Sequence, residues 1–161
     1  MHRQQKYTSQ AESDWFEDRR TMRPPVEGTV SQTNFEANDE VRTGRLADDS
    51  GYVLEVPDVV AARAGGMDKL VKRGEQRYGI YCTPCHATTG LGNGIVVQRG
   101  YQKPPSLHDA RIRSMPDGQL YATIRNGVRN MPAYGSQVPV DDRWAIVSYL
   151  RALQLTQLAQ R

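Results

Sequence analysis

The chain has 161 residues, enough for one domain with a real core plus additional chain. Its formal net charge of +3 is unevenly spread: residues 1–66 hold eight basic and twelve acidic residues, a net −4, whereas residues 67–161 hold thirteen and six, a net +7. The basic residues are scattered rather than clustered with aromatics, which makes nucleic acid a poor partner, and no apolar run approaches the roughly 18–20 residues a membrane span needs.

Residues 1–66 are expected to form a long extended, mostly irregular segment, because hydrophobic positions are sparse and turn formers dominate. In Met22-Arg23-Pro24-Pro25-Val26-Glu27-Gly28-Thr29-Val30 two prolines forbid helix and Gly28 marks a turn. Trp15, Phe16, Phe35, Tyr52 and Leu54 are large apolar anchors along this segment. A chain that lies across other proteins, each anchor filling a pocket, would have such a composition; so would a disordered tail. Asp48-Asp49-Ser50-Gly51 reads as a turn, and the pair Gly65-Gly66 as the boundary to a domain over 67–161.

That domain is expected to be all-α. Asp68 is placed to cap a helix from about Lys69 to Tyr81, in which Gly74, Tyr78 and Cys82, spaced at four, share one face. An interior glycine costs about 1 kcal/mol against alanine, so Gly74 is expected to admit the close approach of another helix. Asp117 is expected to cap a helix from about Gly118 to Arg125, ended by Asn126-Gly127. A last helix from Pro139 or Asp141 to about Gln157 carries Ile146, Leu150 and Leu153 on its apolar face, widened by Trp144, Val147 and Tyr149. That face is expected to cross the first helix near Gly74 and Tyr78.

Chemistry enters at Tyr81-Cys82-Thr83-Pro84-Cys85-His86, which contains both cysteines of the chain. Cys-x-x-Cys-His is the attachment pattern of a c-type haem. The two thiols can each add to a haem vinyl group, and His86 then lies under the iron as proximal ligand. A thioredoxin-like dithiol would need a βαβ context that is missing, and a structural zinc site would need four closed ligands. Downstream, Gly90-x-Gly92-x-Gly94 has neither the preceding strand nor the following Lys-Ser/Thr of a phosphate loop; it suits a backbone turning tightly past a flat macrocycle. In the loop 99–108 the carbonyl of Pro104 or Pro105 is the expected acceptor for His86 Nδ1, the bond that would fix its tautomer.

A thioether is a soft ligand suited to the second axial position, and His/Met ligation raises the potential. Met131, on the loop after the Asp117 helix and stiffened by Pro132, is the expected donor; Met115, also followed by proline, is the competitor, and His108 a further candidate. The metal ligands are thus expected to be His86 and Met131.

As a set, Gly74-x3-Tyr78-x3-Cys82-x-x-Cys85-His86, Pro104-Pro105, Asn126-Gly127, Met131-Pro132-Ala133-Tyr134 and the final apolar helix resemble a class I cytochrome c over residues 67–158. The resemblance implies an all-α domain wrapped round one covalently attached haem c. More closely, Arg23-Pro24-Pro25-Val26-Glu27-Gly28-Thr29-Val30, the Cys82–His86 stretch, Gly100-Tyr101-Gln102-Lys103-Pro104-Pro105-Ser106 and Asp142-Arg143-Trp144-Ala145-Ile146-Val147 resemble the monohaem cytochrome c component of bacterial alternative complex III, a quinol:electron-acceptor oxidoreductase.

That resemblance implies a peripheral subunit on the periplasmic side of the cytoplasmic membrane, beside a multihaem cytochrome c and an iron–sulfur subunit. Electrons would pass on to a downstream cytochrome c, copper protein or terminal oxidase. Such a subunit does no bond chemistry itself; the oxidoreductase activity belongs to the assembly. A free soluble periplasmic shuttle is the alternative reading, and a haem enzyme or gas sensor in which Met131 does not bind is a third. Members of the family often carry a lipid-modified N-terminal cysteine, whereas here no cysteine lies near the start, so membrane association is expected through partners. Met1-His2-Arg3-Gln4-Gln5 does not open a charged-then-apolar leader, yet an extracytoplasmic location is expected, because the thioether bonds are made outside the cytoplasmic membrane.

Overall fold

The computed structural model describes residues 4, 6–8, 10–24, 26–29 and 38–158. It contains two compact units, residues 1–35 and 36–161. Among the described residues there are helices and isolated bridges but no strands, as the all-α expectation requires.

The first unit is more ordered locally than an extended tail. Ser13 N–H donates to Arg19 O at 3.0 Å and Thr21 N–H to Ala11 O at 3.2 Å, which folds residues 11–21 into a hairpin-like loop with a Glu12–Arg20 bridge. The Arg23 guanidinium lies 4.1 Å from the Phe16 ring centroid and 2.5 Å from Asp18. Trp15 is left almost wholly exposed, at 84%. Phe35, Pro25 and Val30 lie outside the described residues.

The second unit begins well before Gly65-Gly66. Helices α1 (Asp39–Thr43) and α2 (Asp58–Ala64) precede α3 (Met67–Tyr81), α4 (Thr83–His86), α5 (Ile95–Gln98), α6 (Ala110–Arg113), α7 (Asp117–Asn126) and α8 (Val140–Leu158). The boundary expected at 66/67 is therefore corrected: residues 38–66 pack into the same core as the later helices. Val41 and Val60 are fully buried. Trp144 Nε1 donates to Val41 O at 2.8 Å and Tyr121 Oη to Arg42 O at 2.9 Å. The segment between α1 and α2 is closed on itself by Val53 N–H to Gly44 O (3.0 Å) and stitched to α7 by Gly118 N–H to Val53 O (2.8 Å) and Asp117 N–H to Leu54 O (3.2 Å). Of the five expected anchors, Tyr52 is half-buried within this unit and Leu54 is exposed.

Helix starts differ from expectation because the acidic residues have other roles. Gly66, with φ 116°, stands at the N-cap of α3, and Asp68 falls within its first turn. Pro116 stands at the N-cap of α7, and Asp117 is turned inward: Oδ2 accepts from Val56 N–H at 3.1 Å and Oδ1 from Arg151 Nε at 2.6 Å. On the other side Asp142 receives Arg73 at 2.6 Å and Arg77 at 3.2 Å, tying α8 to α3.

The core is the crossing of α3 and α8. A Cβ built on Gly74 would lie 2.6 Å from the Ala145 carbonyl carbon and 2.8 Å from Tyr149 Cβ, so the absent side chain is what lets the two backbones meet. One turn on, Tyr78 packs against Tyr149 with ring centroids 5.3 Å apart. Leu70, Ile146, Val147 and Leu150 are buried in the same core, each stabilising by about 1.5–3 kcal/mol on leaving water.

Gly74→Ala is expected to lower stability by about 1–3 kcal/mol despite a ~1 kcal/mol gain in helix propensity, because a backbone carbonyl cannot rotate out of the way; urea unfolding measures it. A chain beginning at residue 67 is expected to unfold at clearly lower urea than one beginning at 36, by several kcal/mol for the lost burial of two valines and the orphaned Trp144 and Tyr121 donors. Equal midpoints would restore the boundary at 66/67.

Candidate haem site

Cys82 is both the last cap of α3 and the first of α4. Cys85 N–H and His86 N–H both donate to Cys82 O, at 3.2 and 2.9 Å, so the two thiols and the imidazole occupy a single turn. The chain then reverses at Ala87 (φ 60°), whose carbonyl accepts the buried Tyr78 hydroxyl at 2.9 Å. The glycine run folds back on that turn: Gly92 N–H donates to His86 O and Gly94 N–H to Cys85 O, both at 3.0 Å. A Cβ on Gly94 would lie 2.6 Å from the Pro84 carbonyl carbon. Two of these glycine amides are thus committed to the Cys-Cys-His turn, which excludes a phosphate-cradling role for them.

Burial, with Cys85 nearby, pushes the Cys82 thiol up to about 12. A reactive dithiol needs the opposite shift, so the redox-motif reading does not fit. No group of three or more His, Cys, Asp or Glu side chains that could hold a metal occurs among the described residues, which removes the zinc reading there. Burial also holds the His86 imidazole below its ordinary value, so at neutral pH it is uncharged with a lone pair to give. Its Nδ1 is buried and makes no hydrogen bond. The expected bond from Nδ1 to Pro104 or Pro105 is therefore not formed: the Pro104 carbonyl faces Gly92 instead, its carbon 3.4 Å from where a Gly92 Cβ would stand.

Met131 ends a tight turn in which Val128 N–H donates to Met131 O at 3.0 Å and Met131 N–H to Val128 O at 2.9 Å, with Arg129 at φ 51°. The turn hangs from the end of α7 through Tyr134 N–H to Ile124 O (2.9 Å) and Gly135 N–H to Arg125 O (3.1 Å). Met131 is half-buried against the core, as are Cys82, Tyr81 and Tyr134. The Tyr81 and Tyr134 rings meet edge to face at 6.4 Å, and burial together with the nearby Cys85 and Cys82 raises the Tyr134 hydroxyl. The loop bearing Met131 thus stands beside the cysteine turn. Met115 also packs on the core, but its carbonyl receives the Arg151 guanidinium in the α7–α8 network. His108 directs Nε2 to Thr89 O at 2.7 Å, which occupies the nitrogen an iron ligand would use.

A family model described as cytochrome c oxidase, cbb3-type, subunit III, matches residues 69–150, half of the chain. The chain belongs to this cytochrome c family. No curated protein matches it. Membership implies a covalently bound haem c and electron transfer. The residues present fit that group: two free cysteines in one turn, an uncharged imidazole next to them, and glycine backbone packed closely behind them. Cytochrome c domains are typically extracytoplasmic, and among the described residues no helix is long and apolar enough to cross a membrane. The contacts that tie this cytochrome domain together were out of reach of motif reading: Tyr134 against Tyr81, Tyr101 against Asn130 and Gln154 against Leu107 join residues distant in sequence with no spacing signal.

Replacing Cys82 and Cys85 together by alanine is expected to abolish haem staining on a denaturing gel. Met131→Ala is expected to keep that stain, lose the thioether–iron signature of the ferric spectrum and lower the reduction potential, whereas Met115→Ala leaves both spectrum and potential unchanged.

Proposed function

We propose that this chain is the monohaem electron-transfer component of a membrane-bound quinol:electron-acceptor oxidoreductase of the alternative complex III type. It receives electrons from multihaem and iron–sulfur subunits and delivers them toward a periplasmic cytochrome c, copper protein or terminal oxidase. The observation that carries the reading is the packing of the Met131 loop against the Cys82–His86 turn through Tyr81 and Tyr134. Cys82 and Cys85 hold the haem covalently, and His86 and Met131 are its two axial donors, drawn from separate elements. The group supplies one-electron transfer when bound. With both axial positions filled by this chain, no position is left for a substrate, and bond chemistry stays with the rest of the assembly.

Placement in a complex is supported by the first unit. Besides Trp15 it exposes Phe16 (43%), Met22 (54%) and Val26 (74%), large side chains of the kind that anchor subunit interfaces. The second unit exposes Arg99, Lys103 and Arg129, which suits an acidic redox partner.

A haem-stained native gel of mildly solubilised membranes, with the chain identified by mass spectrometry, tests this. The expected result is a large particle containing other haem proteins, together with slow carbon monoxide binding by the reduced protein. A band near 18.1 kDa from the soluble fraction would favour the free shuttle, and rapid carbon monoxide binding would favour an open haem site.

A further inference from the structure

The Met131 turn is held from two directions. On one side it continues from α7. On the other it is gripped by residues that belong to the cysteine side of the site: Tyr101 Oη donates to Asn130 O at 3.0 Å, and Asn130 Nδ2 donates to Gln102 Oε1. Tyr101 is itself anchored, its N–H donating to Val96 O at 3.0 Å in α5, and α5 is N-capped by Gly94, whose N–H is bonded to Cys85 O. A short chain of hydrogen bonds therefore runs from Cys85 through α5 and Tyr101 to the peptide that precedes Met131.

The turn is not one the chain would hold unaided. Arg129 takes a left-handed conformation that is unfavourable for a residue with a Cβ. Val128, Arg129 and Asn130 are exposed, so little burial keeps them in place. The Tyr101 hydroxyl is not needed to bury its own ring, which is half exposed at 50%. Its bond to Asn130 O is a contact whose evident consequence is where Met131 stands.

We propose that Tyr101, aided by Gln102, is a positioning residue that latches the Met131 turn to the cysteine side of the site and so keeps the thioether in place as axial donor. The proposal rests on the reading of Met131 as that donor. An outside ligand must displace the thioether before it can bind, so its apparent affinity reports how often the turn opens. Tyr101→Phe removes one oxygen and keeps the ring. Titration of the ferric holoprotein with imidazole is expected to show roughly 2- to 10-fold tighter binding in Tyr101→Phe, the equivalent of one hydrogen bond lost from the closed state. Gln102→Leu is expected to move the affinity in the same direction.

Tyr121→Phe supplies the control, since its hydroxyl bonds Arg42 O in α1, away from the Met131 turn. It is expected to lower the urea midpoint and leave imidazole affinity where it is in the parent protein. If the parent shows the thioether–iron signature and Tyr101→Phe binds imidazole as the parent does, the latch is overturned and the axial assignment stands. If the parent lacks that signature and Met131→Ala leaves imidazole affinity unchanged, the axial assignment falls and the latch with it.

Discussion

The contact between Gly74 and the Ala145 carbonyl sets the position of everything else in the second unit. Once α3 and α8 meet there, Tyr78 is pressed against Tyr149 and its hydroxyl reaches the Ala87 carbonyl, which fixes the chain reversal straight after His86. One turn beyond Tyr78 comes Cys82. The same crossing sends the far end of α8 toward the loop that follows: buried Gln154 donates to Leu107 O at 2.7 Å, and Leu107 N–H to Gly90 O at 2.8 Å. A helix pair that meets at one glycine thus braces the Ala87–Gly94 loop at its start, Ala87, and through Leu107 at Gly90. A side chain at that crossing would have to be accommodated by moving α8, and the loop would move with it.

Residues 38–66 add a second layer of constraint, made mostly from directional bonds. Trp144 and Tyr121 stack at 4.4 Å and point their donors to successive carbonyls of α1. Asp117 gathers Val56 N–H and Arg151, and Arg151 reaches on to Arg113 O, Met115 O and Gln154. Burying such ions gives little net stability compared with apolar packing, but breaking one partner away is costly. The network is therefore better understood as fixing geometry than as supplying stability. It locks the start of α7, and the Met131 turn hangs from the other end of that helix.

What was legible in the sequence is what rests on neighbours along the chain. The Cys82–His86 turn, the periods of α3 and α8, the stop at Gly127 and the small-residue crossing at Gly74 all declare themselves within a few positions. Residues 38–66 did not, because they add only small apolar side chains to the core (Val41 and Val60, with Val53, Val56, Ala61 and Ala64 packed against it) and are otherwise tied in by carbonyls, which have no residue identity to read. Val41 O meets a tryptophan 103 positions away. The hydrogen bond expected from His86 to the proline loop failed for a related reason. Two prolines guarantee a free acceptor but say nothing about its direction, and here the Pro104 carbonyl is turned to Gly92. Likewise Asp68 and Asp117 have the composition of caps, while tertiary contacts claim Asp117 and a glycine takes the cap position of α3.

The charge distribution closes the argument between fold and proposed role. No acidic residue occurs between Glu75 and Asp109, nor between Asp117 and Asp141. These two acid-free stretches carry the Cys82–His86 turn and the Met131 turn. Meanwhile Asp117 is paired with Arg151 of α8, Asp141 with Arg63 of α2, and Asp142 with Arg73 and Arg77 of α3. The carboxylates are thus engaged where they hold helices together, and Arg99, Lys103 and Arg129 are left exposed on the loops of the site. Exposed charges are screened over about 10 Å at 0.1 M salt, so they act on the encounter with a partner far more than on the fold. On the reading proposed here, the same arrangement that builds the helix frame from its few acids also leaves a positive face at the site where an acidic electron-transfer partner would approach.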